Sequence, residues 1–184
     1  MAKLILNGAT SGSISLESPA VSGTTTLTLP TTSGTVLTNG TNTNFPAGSV
    51  LQVVSATTTS STSTTSTSFV TTSFSVSITP TSSSNKILLM MAGGNFDNNS
   101  ASNSTVYATF YRNSTDLGST NGISGTKTVT ARILTSLPLI VYDSPSTTSS
   151  TTYTLYIKSE GGQSVSFNNI GGLLATLVAM EIKA

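Results

Sequence analysis

The sequence predicts an all-β protein: a short extended N-terminal strand segment followed by a jelly-roll-like antiparallel β-sandwich. Three observations carry this. No stretch of the 184 residues holds a sustained helical period. Short runs rich in valine, isoleucine and threonine recur along the chain, and their branched Cβ atoms suit a pleated surface. Glycine, proline and asparagine punctuate those runs at close intervals.

Residues 1–48 form the first region. Its strand candidates are residues 3–6, 13–17, 26–29 and 35–38, with Ile14 and Leu16 on one face and Leu27 and Leu29 on one face. Such short runs are marginal as isolated hairpins in water. They are therefore expected to pair with neighbouring chains. Residues 38–48, TNGTNTNFPAG, read as a polar linker. The second region, 49–184, holds strand candidates at 50–55, 68–79, 86–93, 105–112, 127–134, 137–143, 152–159, 164–168 and 175–183. That is one more than the eight of a jelly roll, so one run is split or marginal. Residues 56–68, ATTTSSTSTTSTS, read as a long polar loop or weak edge strand rather than an O-glycosylated stalk.

An antiparallel strand on a sandwich usually hides one face and wets the other. Residues 152–159 fit, with Tyr153, Leu155 and Ile157 opposite Thr154, Tyr156 and Lys158. Residues 127–134 fit too, with Val129, Ala131 and Ile133 opposite Thr128, Thr130 and Arg132. Three runs are apolar on both faces. They set Ile87, Leu89 and Met91 against Leu88, Met90 and Ala92; Val178, Met180 and Ile182 against Ala175, Leu177 and Ala179; and Leu137, Leu139 and Val141 against Pro138, Ile140 and Tyr142. Their second faces need a cover, because large wet apolar patches mark interaction sites. The expected cover is a second copy of the chain, met through Leu88, Met90, Ile140, Tyr142 and Leu177 together with Tyr107, Tyr111 and Tyr156.

The formal net charge is +1 and the seven Lys and Arg residues are scattered, so no basic footprint for nucleic acid exists. Charged residues make up only 7% of the chain, against roughly a quarter in most proteins. Such a surface suits a component of a large assembly better than a free enzyme. No apolar run approaches membrane-spanning length, and the apolar start of MAKLILNG is too short for a signal-peptide core.

Cysteine and histidine are absent, which excludes disulfides, thiolate nucleophiles, zinc sites and histidine-activated serines. Glycoside hydrolysis needs two neighbouring carboxylates. The six acids Glu17, Asp97, Asp116, Asp143, Glu160 and Glu181 each stand alone in sequence. No enzyme, cofactor or metal is expected. Asp116, Asp143 and Glu160 read as turn or strand-end residues. Glu181 is expected to reach the rim or to pair with Lys183 or Arg132. Loops carry recognition on rigid scaffolds. The polar stretches 93–105 and 114–127, with Asp97, Asn98, Asn99 and Asn103 as receptor-loop candidates, are read either as plain solvated loops or as groups that hydrogen-bond a cell-surface glycan.

Residues 12–40, GSISLESPAVSGTTTLTLPTTSGTVLTNG, resemble a segment recurring in tail fibres and other virion proteins of tailed bacteriophages. The matching pieces are 12–16 with Pro19 and Ala20, then 26–30, then 33–37. The stretches 50–56, 75–91, 108–118 and 153–162 look like a β-domain common in phages of marine and freshwater bacteria, cyanobacterial phages especially. The resemblance implies a virion structural protein, assembled in the host cytoplasm. It implies a homotrimer whose N-terminal segment contacts other virion proteins through Ile14, Leu16, Leu27, Leu29, Val36 and Leu37. A tail fibre or fibre-like appendage, with host attachment through surface glycan, is the first expectation. A capsid decoration or head-fibre protein is the alternative.

Overall fold

The computed structural model describes residues 3–7, 9–17, 31–32, 45–99 and 103–184. The chain divides into two compact units, 1–36 and 37–184. In the first, β1 (Lys3–Asn7) and β2 (Ser13–Glu17) form an antiparallel hairpin in which Leu4 faces Leu16 and Leu6 faces Ile14 across the ladder. Residues 13–17 thus pair along one edge with a strand of the same chain. Leu4, Ile5 and Leu6 are each more than half exposed. The candidate strands 26–29 and 35–38 lie outside the described residues.

Among its described residues the second unit contains eight extended runs. In chain order they are β3 (Val50–Thr58) with β4 (Thr62–Thr64), β5 (Val70–Ile78), β6 (Lys86–Gly93) with β7 (Phe96–Asn98), β8 (Ser104–Arg112), β10 (Ser124–Thr128), β11 (Ile133–Thr135) with β12 (Leu139–Asp143), β13 (Thr151–Ser159), and β14 (Val165–Phe167) with β15 (Ala175–Ile182). The short β9 (Thr115–Asp116) folds back on β8. One sheet has the order β10-β8-β13-β5. The other layer is β12-β6-β15-β3, continued past a bend as β11-β7-β14-β4. Numbered by run, the layers read 5-4-7-2 and 6-3-8-1. All pairings are antiparallel, and this is the interleaved strand order of a jelly roll. The protein is an all-β antiparallel sandwich.

Glycine makes the bend. Gly93 and Gly94 both have positive φ, +79° and +62°. A Cβ on Gly93 would meet the Leu174 carbonyl oxygen at 2.2 Å. Gly94 N–H donates to that same carbonyl at 3.1 Å. The break between β6 and β7 and the break between β14 and β15 therefore lie side by side.

Period-2 alternation delivers the core. Tyr153, Leu155 and Ile157 point inward, as do Ile87, Leu89 and Met91, and Phe74, Val76 and Ile78. Phe167 stacks on Phe74 at 5.9 Å between centroids and tilts against Phe96 at 5.4 Å. Offset pairs of this kind add to the burial of the rings themselves. At the other end Asp143 joins the layers. It accepts from Arg112 Nη1 at 2.8 Å and from the buried Tyr153 hydroxyl at 2.7 Å. Burial first, then the hydrogen bond to Asp143, push the Tyr153 phenol far above its ordinary range.

Two expectations are corrected here. Residues 127–134 are not one strand: β10 stops at Thr128 and β11 starts at Ile133. The Thr128 hydroxyl donates to the Ala131 carbonyl, closing a local turn that competes with the ladder. Val129 is consequently 67% exposed instead of inward. Glu181 does not reach the rim or pair with Lys183 or Arg132. It is fully buried, and its carboxylate accepts from Gln52 Nε2 (2.6 Å), Thr81 N (2.7 Å), the Thr81 hydroxyl (2.9 Å) and Asn85 Nδ2 (2.7 Å). The unit also ties its entry to its last strand: Gly48 N–H donates to Lys183 O, and Lys183 N–H to Ser49 O.

Candidate functional site

The outer face of β12-β6-β15-β3 carries two apolar rows fixed by strand register. Ile140 lies opposite Met90, and Met90 opposite Val178. Tyr142 lies opposite Leu88, Leu88 opposite Met180, and Met180 opposite Val53. Ile140, Tyr142 and Val53 are 58%, 60% and 56% exposed. Along the first row runs a groove of about 270 Å³, walled by Ile140, Met90 and Val178, by Pro138, Ala92 and Thr176 on one side, and by Met180 of the second row. No charged side chain lines it. Cross-strand apolar neighbours of this kind make a continuous patch, not scattered exposed residues.

Of the eight residues expected at an interface between copies, Leu88, Met90, Ile140 and Tyr142 come together on this face. Leu177 does not: it is fully buried beside Ala175 and Ala179 in the core. The outward residues of β15 are Thr176, Val178, Met180 and Ile182, a phase that apolar alternation alone could not distinguish from the other. Tyr107, Tyr111 and Tyr156 lie on the other sheet, β10-β8-β13-β5. There they partner one another and their surroundings. Tyr111 stacks on Tyr156 at 4.0 Å, Phe69 meets Tyr111 edge-on at 6.3 Å, and the Lys158 ammonium sits 4.8 Å from the Phe69 ring centre.

The receptor-loop candidates separate as well. Asp97 and Asn98 lie fully buried in β7, not in an open loop. The Asp97 carboxylate receives Arg132 Nε at 2.9 Å, the Arg132 Nη2 and the Asn169 amide. Burial pushes this carboxyl up, but the hydrogen bonds from Arg132 and Asn169 outweigh it and hold it below the ordinary range. Asn99 and Asn103 are exposed, and Asn99 Nδ2 donates to Ser166 Oγ at 2.7 Å. Of the N-terminal attachment candidates, Ile14 and Leu16 fall on β2, while Leu27, Leu29, Val36 and Leu37 lie outside the described residues. The acids of the second unit stay apart, each with its own partners, and among the described residues no three His, Cys, Asp or Glu side chains gather.

No family model matches this chain, and no curated protein matches it. Among solved structures it is similar to that of the Gx strain of infectious bursal disease virus, at 18% identity and a TM-score of 0.36, covering 83% of this chain and 42% of that one. It is similar also to a mutant VP2 protein of the same virus from T=1 particles, at 18% identity and a TM-score of 0.37, covering 85% and 44%. The chain spans less than half the length of either. With superpositions this loose, the fold assignment stands on the strand order above.

Proposed function

We propose that the protein is a structural component of a bacteriophage virion: a tail fibre or fibre-like appendage, anchored by its N-terminal segment to other virion proteins. In this reading the chain is a homotrimer, and copies meet across the outer face of β12-β6-β15-β3. The observation that carries it is the uncovered apolar rows Ile140–Met90–Val178 and Tyr142–Leu88–Met180–Val53. A jelly roll with one dry-type outer face is half of an assembly. The likeness of residues 12–40 to segments of virion proteins supports the setting, and so does the chain's low charge.

Two measurements test it. Sedimentation of the full chain in native buffer should give a discrete oligomer, and a monodisperse monomer at micromolar concentration refutes the self-contact. Antibody labelling of the chain in electron micrographs of whole particles should mark the tail. Label spread over the capsid would replace the tail fibre with a decoration protein, and unlabelled particles would refute a virion role.

A further inference from the structure

On the sheet opposite the apolar face, an open cleft of about 390 Å³ lies beside Tyr107. We propose that this cleft is a binding site for a neutral saccharide. The inference deepens the virion reading, whose expected host attachment is through surface glycan, and rests on it for its biological setting alone: loss of saccharide binding would leave the sedimentation and labelling outcomes above untouched.

One lining group of the cleft is a carboxylate already held in place, that of Glu160. Glu160 accepts hydrogen bonds from the Thr105 hydroxyl and, at 3.3 Å, from the Tyr107 hydroxyl. Its own N–H donates to the Thr105 carbonyl at 3.0 Å. The Lys127 ammonium stands 3.9 Å from Glu160 Oε2, and both side chains are about half exposed, at 54% and 46%. The Thr105 hydrogen bond foremost, and the charge of Lys127 after it, keep the carboxyl below its ordinary range, so it is ionised at neutral pH.

Gly125 gives the tyrosine its position. It faces Tyr107 across the β10–β8 ladder, and a Cβ there would stand 2.7 Å from Tyr107 Cδ1. Without one, the ring leans over the bare strand and walls the cleft. The exposed Asn121 also lines it.

The chemistry selects the ligand. Opposite charges this close largely cancel at a distance, so neither an anion nor a cation is drawn in strongly. An apolar ligand would strip water from Glu160, Lys127 and Asn121 and replace none of its hydrogen bonds. A hydroxyl group both donates and accepts. Neighbouring hydroxyls on one ring can donate to Glu160 and accept from Lys127 at once, while the C–H face of the sugar lies against Tyr107. The volume is at the lower end of small-ligand sites, which run from about 300 to 1,000 Å³. It has room for one or two sugar rings.

Saturation-transfer NMR on the full chain tests this with free glucose, lactose and diacetylchitobiose in one arm and the neutral polymer dextran in the other. Transfer to the free sugars supports a site for soluble saccharide, and transfer to dextran alone supports a site for surface polysaccharide. Glu160→Gln should weaken either signal about 10-fold or more, since a hydrogen bond to a charged acceptor is lost. Lys127→Met is the second variant and should weaken it too, with the thermal melt unchanged. The proposal is overturned if no neutral probe receives transfer, if Glu160→Gln and Lys127→Met both bind as the parent does, or if glucuronate or glucosamine binds more tightly than glucose.

Discussion

Glu181 is the residue whose chemistry the fold changes most. A lone acid in an apolar strand suggests an outward face, and Glu181 shares its parity with Leu177. The structure reverses that inference: the carboxylate is buried and surrounded by neutral donors. Burial pushes its pKa up, but the hydrogen bonds from Asn85, Gln52 and Thr81 outweigh it and leave the carboxyl below its ordinary range. A carboxyl with a lowered folded pKa stabilises the fold above its unfolded value, and that stability is lost as pH falls through the folded value. Glu181→Gln should therefore cost about 1–3 kcal/mol at neutral pH, by leaving donors facing an amide. The gap between its melting temperature and the parent's should narrow below about pH 4. Melts that run parallel down to about pH 3 would show that the carboxylate charge is not what these donors hold. Tyr153→Phe is the milder counterpart. It deletes one hydrogen bond to Asp143 while Arg112 keeps its own. Urea denaturation should register a loss of about 1 kcal/mol.

Among the elements, the bent run β6–β7 makes the firmest prediction. Gly93→Ala places a methyl group against the Leu174 carbonyl and forces a side chain onto positive φ. The expected loss is at least about 2 kcal/mol in denaturant unfolding, because backbone strain and a steric clash coincide. The alternating runs were legible from sequence: the Tyr153–Leu155–Ile157 face needed only period 2 to be recognised. The excess of strand candidates foreshadowed runs broken by bends. Two features were not legible. In 175–183 both faces are apolar, so hydrophobicity could not set the phase, and the one acid, Glu181, pointed the wrong way. In 127–134 the pattern looked like a strand, but the Thr128 hydroxyl satisfies Ala131 locally and ends it. The burial of Asp97 was hidden for a similar reason. Its partner Arg132 lies 35 positions away and arrives only through the β7–β11 pairing.

For the whole molecule, the exposed rows separate assembly from folding. Val178→Glu adds a charge between Met90 and Ser55 on the outer face, where no inward packing depends on it. The parent oligomer should fall apart in sedimentation while the melting temperature of the subunit stays within a few degrees, as surface changes usually cost under about 0.5 kcal/mol. An oligomer that survives Val178→Glu places the contact elsewhere. The bonds that join Gly48 and Ser49 to Lys183 have a mechanical meaning as well. They begin the antiparallel ladder in which β3 lies along β15. A load drawn along β3 stresses every rung of that ladder together, and the strand resists in shear. The same load drawn across it opens the Gly48 rung first and then unzips the rest in turn. The angle at which the chain leaves residue 48 thus decides whether tension on it meets a strong joint or a weak one.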